Sequence, residues 1–300
     1  CLMETFFAAV VQGLGVGGVY ALLGVGFVII YRATEVVNFA QPALMILGAY
    51  TASALVAQAG LPFWLSVVLA VLVLAGIGML TERIALRPMV GRPSFSAATV
   101  TVGVFIVLLV LAFRLVGTDI LTVGDPWGLS TVEMFGVTIF TLDVAKLVIS
   151  MAAIAGVGLF LTRSRVGLAM RATAFDQEVA LAQGVKVGRM FGLSWGISAG
   201  LAALAGVLIS SGASGVDATI ALVALKALPV IILGGLDSIK GSVIAGLLIG
   251  LAETMTKVYQ PQYAPWLGAN FDLVVPYLIM IVVLMVRPYG IYGTKEVIRV

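Results

Sequence analysis

Val36–Thr81 reads VVNFAQPALMILGAYTASALVAQAGLPFWLSVVLAVLVLAGIGMLT, with no Asp, Glu, Lys or Arg. A helix needs roughly 20 apolar residues to cross a bilayer, so this stretch is too long for one crossing. Gly60-Leu61-Pro62 divides it, because Gly and Pro punctuate helices. Spans are predicted near 42–58 and 62–81. The same reading extends outward. Thr5–Tyr31, Ser94–Phe113, Leu147–Thr162 and Met190–Val216 are also uncharged. Ala218–Leu233 is short and contains Lys226. Ser242–Ala252, with its flank to Tyr259, makes another span, and the last runs from about Trp266 to Val286.

Composition agrees. The chain has 300 residues, 61% hydrophobic and 10% charged, with a mean hydropathy of +1.17. A soluble domain carries roughly a quarter charged residues. The predicted fold is an all-α polytopic transmembrane helical bundle of about 8–9 spans, one transmembrane domain over 1–300. There is no His and one Cys. That excludes a His-held metal, a Ser–His or Cys–His dyad and an intrachain disulfide. With few acids inside apolar runs, enzyme chemistry is not expected, and no catalytic residue, metal ligand or cofactor is assigned to this chain. A net charge of +3 and a pI of about 9.1 do not point to nucleic acid. Residue 1 is Cys, as in a mature lipoprotein, but the start lacks a basic n-region and its apolar run is too long for a signal peptide.

The connections are polarised. Segment 82–92 holds Arg83, Arg87 and Arg92 against Glu82. Segment 163–189 holds Arg163, Arg165, Arg171, Lys186 and Arg189 against Asp176 and Glu178. The tail holds Arg287, Lys295 and Arg299 against Glu296. Segment 114–146 holds Arg114 and Lys146 against Asp119, Asp125, Glu133 and Asp143. The positive-inside rule makes the first three cytoplasmic and the fourth extracytoplasmic. Val132–Thr141 within that outer loop is rich in β-branched and aromatic residues and is predicted as a small β-hairpin. Nine crossings place the N-terminus outside and the tail inside. Eight would make Ala218–Leu233 re-entrant. An internal repeat is also visible: aligning 13–38 with 192–217 matches Gly13 with Gly192, Gly17 with Gly196 and Leu22 with Leu201, among others. Under nine crossings these helices run in opposite directions, as in inverted-repeat transporters.

Four places carry polar chemistry. In the basic loop, Gly167–Phe175 is predicted as a short helix. Asp176 then caps a second one, Gln177–Gln183, which Gly184 stops. The pattern Glu178-Val179-Ala180, three residues, Gly184 resembles the EAA–x3–G motif of ABC-importer permeases, departing from it at Val179. The resemblance implies a short rigid helix that seats in a partner, and the alternative is a solvated loop whose arginines set topology. In Asn38-Phe39-Ala40-Gln41-Pro42, Pro42 predicts a helix start. Asn38 and Gln41 either mark a helix N-terminus at membrane depth, suited to a carboxylate, or cap it at the interface. Ser210-Ser211-Gly212-Ala213-Ser214-Gly215, followed by Asp217, permits close packing or interhelical hydrogen bonds. Lys226 is either a functional charge or a snorkelling one. Gly234–Ser242 superficially suggests a phosphate loop, but Gly241 follows Lys240, the reverse of the required order. A tight hairpin between helices is expected there.

In chain order, Gly17-Gly18-Val19-Tyr20-Ala21-Leu22-Leu23, Asn38-Phe39-Ala40-Gln41, Leu47-Gly48-Ala49-Tyr50, Arg163–Val187, Gly234-Gly235-Leu236 through Glu253, and Arg287-Pro288-Tyr289-Gly290 resemble the Liv-type permease of branched-chain amino-acid ABC importers. The resemblance covers nearly the whole chain. Pro42, Asp237 and Lys240 depart from the family pattern, and related permeases carry urea or short amides. The resemblance implies an inner-membrane subunit of a bacterium. It implies a second homologous permease, two cytoplasmic ATPases that bind the ATP, and an extracytoplasmic substrate-binding protein. Coupling to the ATPase would fall on Arg171, Asp176, Glu178, Ala180 and Gly184. The solute path would involve Tyr20, Asn38, Gln41, Ser210 and Ser211. A self-contained secondary transporter or channel is the competing class, and would lean on paired intramembrane charges such as Asp217 and Lys226.

Overall fold

The structure is a computed structural model that describes residues 2–116, 121–128, 130–134, 136–212, 215–216 and 220–293. Cys1, Asp119, Ala213, Ser214, Asp217, Lys295, Glu296 and Arg299 lie outside the described residues. Each predicted apolar run contains helix. In chain order these are α1 (Leu2–Thr34), α2 (Gln41–Ala57), α3 (Phe63–Thr81), α4 (Ser94–Val116), α5 (Thr141–Arg163), α6 (Arg165–Phe175), α7 (Gln177–Ala182), α8 (Val187–Ser210), α9 (Ile220–Leu225), α10 (Ala227–Gly234), α11 (Ile239–Tyr263) and α12 (Val275–Val286). Six are long and apolar enough to cross a membrane: α1, α3, α4, α5, α8 and α11. The other apolar runs form shorter helices, at Gln41–Ala57, Val223–Gly234 and Phe271–Val286.

Several boundaries differ from expectation, each for a local reason. The final run is not one helix from Trp266. Gly268 (φ +85°) and Asn270 (φ +60°) leave the right-handed region, so only single 3₁₀ turns form at Pro265–Leu267 and Phe271–Leu273 before α12. The helix containing Met190 ends at Ser210 rather than Val216, because Ser211 turns extended and Gly212 follows at φ +81°. The fifth span begins at Thr141 rather than Leu147 and draws Asp143 and Lys146 into its first turns. Segment 82–92 opens with a π turn at Glu82–Leu86 and a 3₁₀ turn at Arg87–Met89. The expected hairpin is present as β1 (Thr131–Met134) and β2 (Val137–Phe140), antiparallel, with Thr131 opposite Phe140.

The chain divides into two compact units. One comprises Cys1–Val28, Trp127–Met151 and Lys226–Val300, the other Ile29–Pro126 and Ala152–Leu225. In a bilayer, lipid is as apolar as Leu, so helices associate through close packing of small residues. The first unit follows that rule. A Cβ on Gly17 of α1 would lie 2.8 Å from the Leu247 Cα of α11, and one on Gly246 would lie 2.6 Å from the Ala21 backbone nitrogen. A Cβ on Gly250 would run into Gly17 itself. At the other end of α11, Gly235 turns the chain at φ +99° and the Ser238 hydroxyl accepts from the Gly241 N–H. The segment after α12 returns to this turn: Ile291 N–H donates to the Leu233 carbonyl (2.8 Å) and Tyr292 N–H to that of Gly234 (3.2 Å).

The second unit is organised on α8. Gly48 of α2 abuts Ala203, and Gly206 abuts the Met45 backbone. A Cβ on Gly78 of α3 would come within 2.6 Å of the Trp195 carbonyl. Among the six spanning helices, α1 and α8 are the most buried, and they are the two that the internal repeat aligns. By contrast α4 and α5 leave long apolar faces exposed, with Ile106, Val107 and Val110 on the first and Val148 and Leu159 on the second. Such faces suit lipid or another apolar partner.

Candidate functional site

The basic loop folds as its capping residues predict. Ser164 starts α6, its hydroxyl accepting from the Gly167 N–H (2.8 Å). Asp176 ends α6 and begins α7, its carboxylate accepting from the Val179 N–H (2.9 Å). At the far end, Gly184 at φ +81° sends its N–H to the Leu181 carbonyl (2.9 Å), while Val185 N–H reaches that of Ala180 (3.0 Å). This pair of bonds is a Schellman motif, and it satisfies two carbonyls that the last helical turn would otherwise orphan.

The two faces of α7 differ. Ala180 is buried against Ala33, Val187 and Phe191. Arg171, Asp176, Glu178 and Gly184 are exposed. Sequence reading missed the apolar residues beside them. Phe175 is 95% exposed, and Val179 and Leu181 are 57% and 58% exposed. Val179, the middle residue of the Glu178-Val179-Ala180 pattern, belongs to this outward apolar set. The signal was available: large apolar side chains at 175, 179 and 181 stand among the charges Arg171, Asp176 and Glu178. A cleft of about 190 Å³ lies beside α7, lined by Glu35, Glu82, Arg92, Gln177 and Phe191 among others. Glu82 is held there by Arg87 (2.9 Å), whose guanidinium also donates to the Gly188 carbonyl at the start of α8 (2.6 Å).

Asn38 and Gln41 are completely buried. The helix starts at Gln41 rather than Pro42, and neither amide caps it. Instead Asn38 Oδ1 accepts from the Ala40 N–H (2.9 Å), and Asn38 Nδ2 donates to Gln41 Oε1 (3.2 Å). Gln41 Oε1 also accepts from the Ser198 hydroxyl (2.9 Å), and Gln41 Nε2 donates to the Ser198 carbonyl (3.3 Å). Thr101 of α4 accepts from the Phe39 N–H (3.1 Å). The amides thus tie the entry of α2 to α8. Ser211 donates back to the Val207 carbonyl (2.7 Å). The buried Ser210 hydroxyl meets no hydrogen-bond partner among the described residues.

Tyr20 leads to a group that sequence reading only half found. Its hydroxyl donates to Glu253 Oε2 (2.8 Å), and Glu253 Oε1 takes the Lys226 ammonium (2.5 Å). The Lys226 nitrogen stands 5.8 Å from the centre of the Tyr20 ring. All three residues belong to the first unit. Lys226 therefore does not snorkel to an interface: it is 4% exposed and paired. Asp217, its suggested companion, lies outside the described residues. Lys226 also sits where the helix breaks between α9 and α10. Pro229 explains the break, since it has no N–H for the carbonyl four residues back and its ring crowds that carbonyl.

The family model described as branched-chain amino acid transport system / permease component matches residues 9–284. The high-affinity branched-chain amino acid transport system permease protein LivH of Escherichia coli is 30% identical, covering 98% of each chain. BraD of Pseudomonas aeruginosa, likewise a permease protein of such a system, is 31% identical over 98% of each. A probable LivH of Methanocaldococcus jannaschii is 30% identical over 91% of this chain and 88% of its own. Among solved structures, PsaBC from Streptococcus pneumoniae in complex with Fab aligns with a TM-score of 0.50, covering 95% of this chain and 92% of that one. At 17% identity it shares the fold alone.

Proposed function

This chain belongs to the branched-chain amino acid transport system permease family, and from that membership we propose that it moves branched-chain or other hydrophobic amino acids across a bacterial cytoplasmic membrane. It is a multi-pass membrane protein and not an enzyme. In this reading it works beside a second homologous permease. Two cytoplasmic ATPases bind and hydrolyse the ATP, and an extracytoplasmic binding protein delivers the solute. The observation that carries the coupling role is α7. It is capped at both ends, seated through Ala180, and presents Val179 and Leu181 outward beside Glu178, with Arg171 and Phe175 exposed on the preceding α6. A short rigid helix of that kind transmits a push as a body rather than bending. Tyr20, in the first unit, takes the place nearest the solute. Asn38 and Gln41, whose polar atoms are engaged with each other and with Ser198, hold α2 in position.

Gly184 supplies the test. A side chain there would meet open space within its own chain, and the only internal demand is the positive φ. Asn tolerates that backbone region; Arg adds bulk and charge as well. Gly184→Asn is expected to keep most ATP-driven leucine uptake, and Gly184→Arg to lose it while the protein remains in the membrane. Undiminished uptake by Gly184→Arg would sink the docking role.

A further inference from the structure

The Lys226–Glu253–Tyr20 group is more than the packing of its helices requires. Glu253 lies about 21 Å of helix from the start of α11 and about 15 Å from its end, at 1.5 Å per residue. Tyr20 lies about 27 Å from the start of α1 and about 21 Å from its end by the same rise. Both α1 and α11 are spanning helices, so the ion pair sits at membrane depth, where isolated charges are costly and usually serve a path or a ligand. A purely adhesive role is poorly served by such a pair, because apolar packing of the same shape holds helices at least as well. It is also redundant here. α1 and α11 are already locked through Gly17, Gly246 and Gly250, and α10 meets α11 backbone to backbone at Gly234 and Gly241.

From this we infer that Lys226, Glu253 and Tyr20 form an intramembrane receptor for the two charged ends of a zwitterionic α-amino acid. The inference rests on the amino-acid permease reading above. The Lys226 ammonium takes the solute carboxylate, at a helix break whose following segment, α10, begins at the next residue. The Glu253 carboxylate takes the solute ammonium, with the Tyr20 hydroxyl fixing its second oxygen. The exchange is conservative. One ion pair within the protein becomes two with the solute, no net charge enters the membrane, and every charged group keeps a partner of opposite sign. A solute bearing only one charge leaves either Lys226 or Glu253 unpaired in a buried site. Sites built on buried polar complementarity reject such analogues by several powers of ten.

The test measures binding of radiolabelled L-leucine to the assembly purified in mild detergent through a tag on this chain, washed free of binding protein. Competitors are 3-methylbutylamine, which keeps only the ammonium, and 4-methylpentanoate, which keeps only the carboxylate. Unlabelled leucine is expected to displace the label, and neither analogue to do so at ~100-fold excess. A second arm uses the double variant Lys226→Met with Glu253→Gln, which leaves no lone buried charge and so spares a merely structural pair. It is expected to assemble into the same detergent-stable complex as the wild type and to lose leucine binding by at least ~100-fold, while the single variant Lys226→Arg, with Glu253 intact, keeps part of it. Equal displacement by a singly charged analogue, or leucine binding intact in the double variant, would overturn the receptor. A wild-type assembly that binds urea or acetamide but no amino acid would overturn the amino-acid reading as well.

Discussion

Gly17 and Gly250 bring two helix backbones together with nothing between them. The residues that meet there lie at opposite ends of the chain, and local periodicity carries no information about their register. Gly-rich helices were legible in the sequence; which glycine faces which was not. The same holds for Lys226 and Glu253. The cost of a buried Lys was plain, but its partner on α11 is found only once the α10–α11 packing is known. The packing makes a sharp residue-level prediction. Gly250→Val places a branched side chain into the Gly17 backbone, which no rotamer relieves. It is expected to cost at least ~3 kcal/mol, near the upper end for overpacked cores, and to abolish a monodisperse peak in detergent gel filtration. Gly76→Ala in α3 meets nothing within 4 Å and is the matched control. There the added methyl improves helix propensity by about 1 kcal/mol, so thermal stability should hold or rise. Equal behaviour of the two variants would show that the glycine contact is not what fixes α1 on α11.

At the scale of the element, α6 and α7 are the part of the site read most completely from sequence. The reason is that capping is local: Asp176 and Gly184 act on backbone groups within a few residues of themselves. The breaks in α9–α10 and before α12 were harder. Pro229, Gly268 and Asn270 were visible, but a long apolar run invites a single helix, and the tertiary structure uses these residues to interrupt it. Because α7 is so short, it depends on its caps more than any span does. Asp176→Ala should therefore destabilise α7 by about 1 kcal/mol, the usual loss for an N-cap. Hydrogen exchange would report this as roughly fivefold faster exchange at Val179–Gln183, with the amides of α8 unchanged. Asp176→Ser keeps a capping oxygen and should exchange nearly as the wild type does. If Asp176→Ala left exchange in α7 untouched, Ala180 burial rather than the cap would be what orders the helix.

On the scale of the whole molecule, sidedness is decided by α5. It contains 23 residues, about 35 Å of helix, enough to cross the hydrocarbon core once. It alone joins the acidic segment bearing the β-hairpin to the basic segment bearing α6 and α7. If α5 crosses once, those two segments lie on opposite sides, however many crossings the shorter helices make. Their charges select which side. Arg163, Arg165, Arg171, Lys186 and Arg189 outweigh Asp176 and Glu178 on one, while acids predominate on the other. Cysteine labelling tests both statements at once. In a Cys1→Ser background the chain has no thiol, and Glu133→Cys and Gln183→Cys each place one at an exposed position. Glu133→Cys is expected to react with a membrane-impermeant maleimide in intact spheroplasts, and Gln183→Cys only after permeabilisation. Labelling of both from outside would mean that α5 does not span, and that α7 stands where no cytoplasmic ATPase reaches it. The reverse pattern would keep the span but invert the chain, removing the coupling role from α7 and leaving the Lys226–Glu253 pair at the same depth.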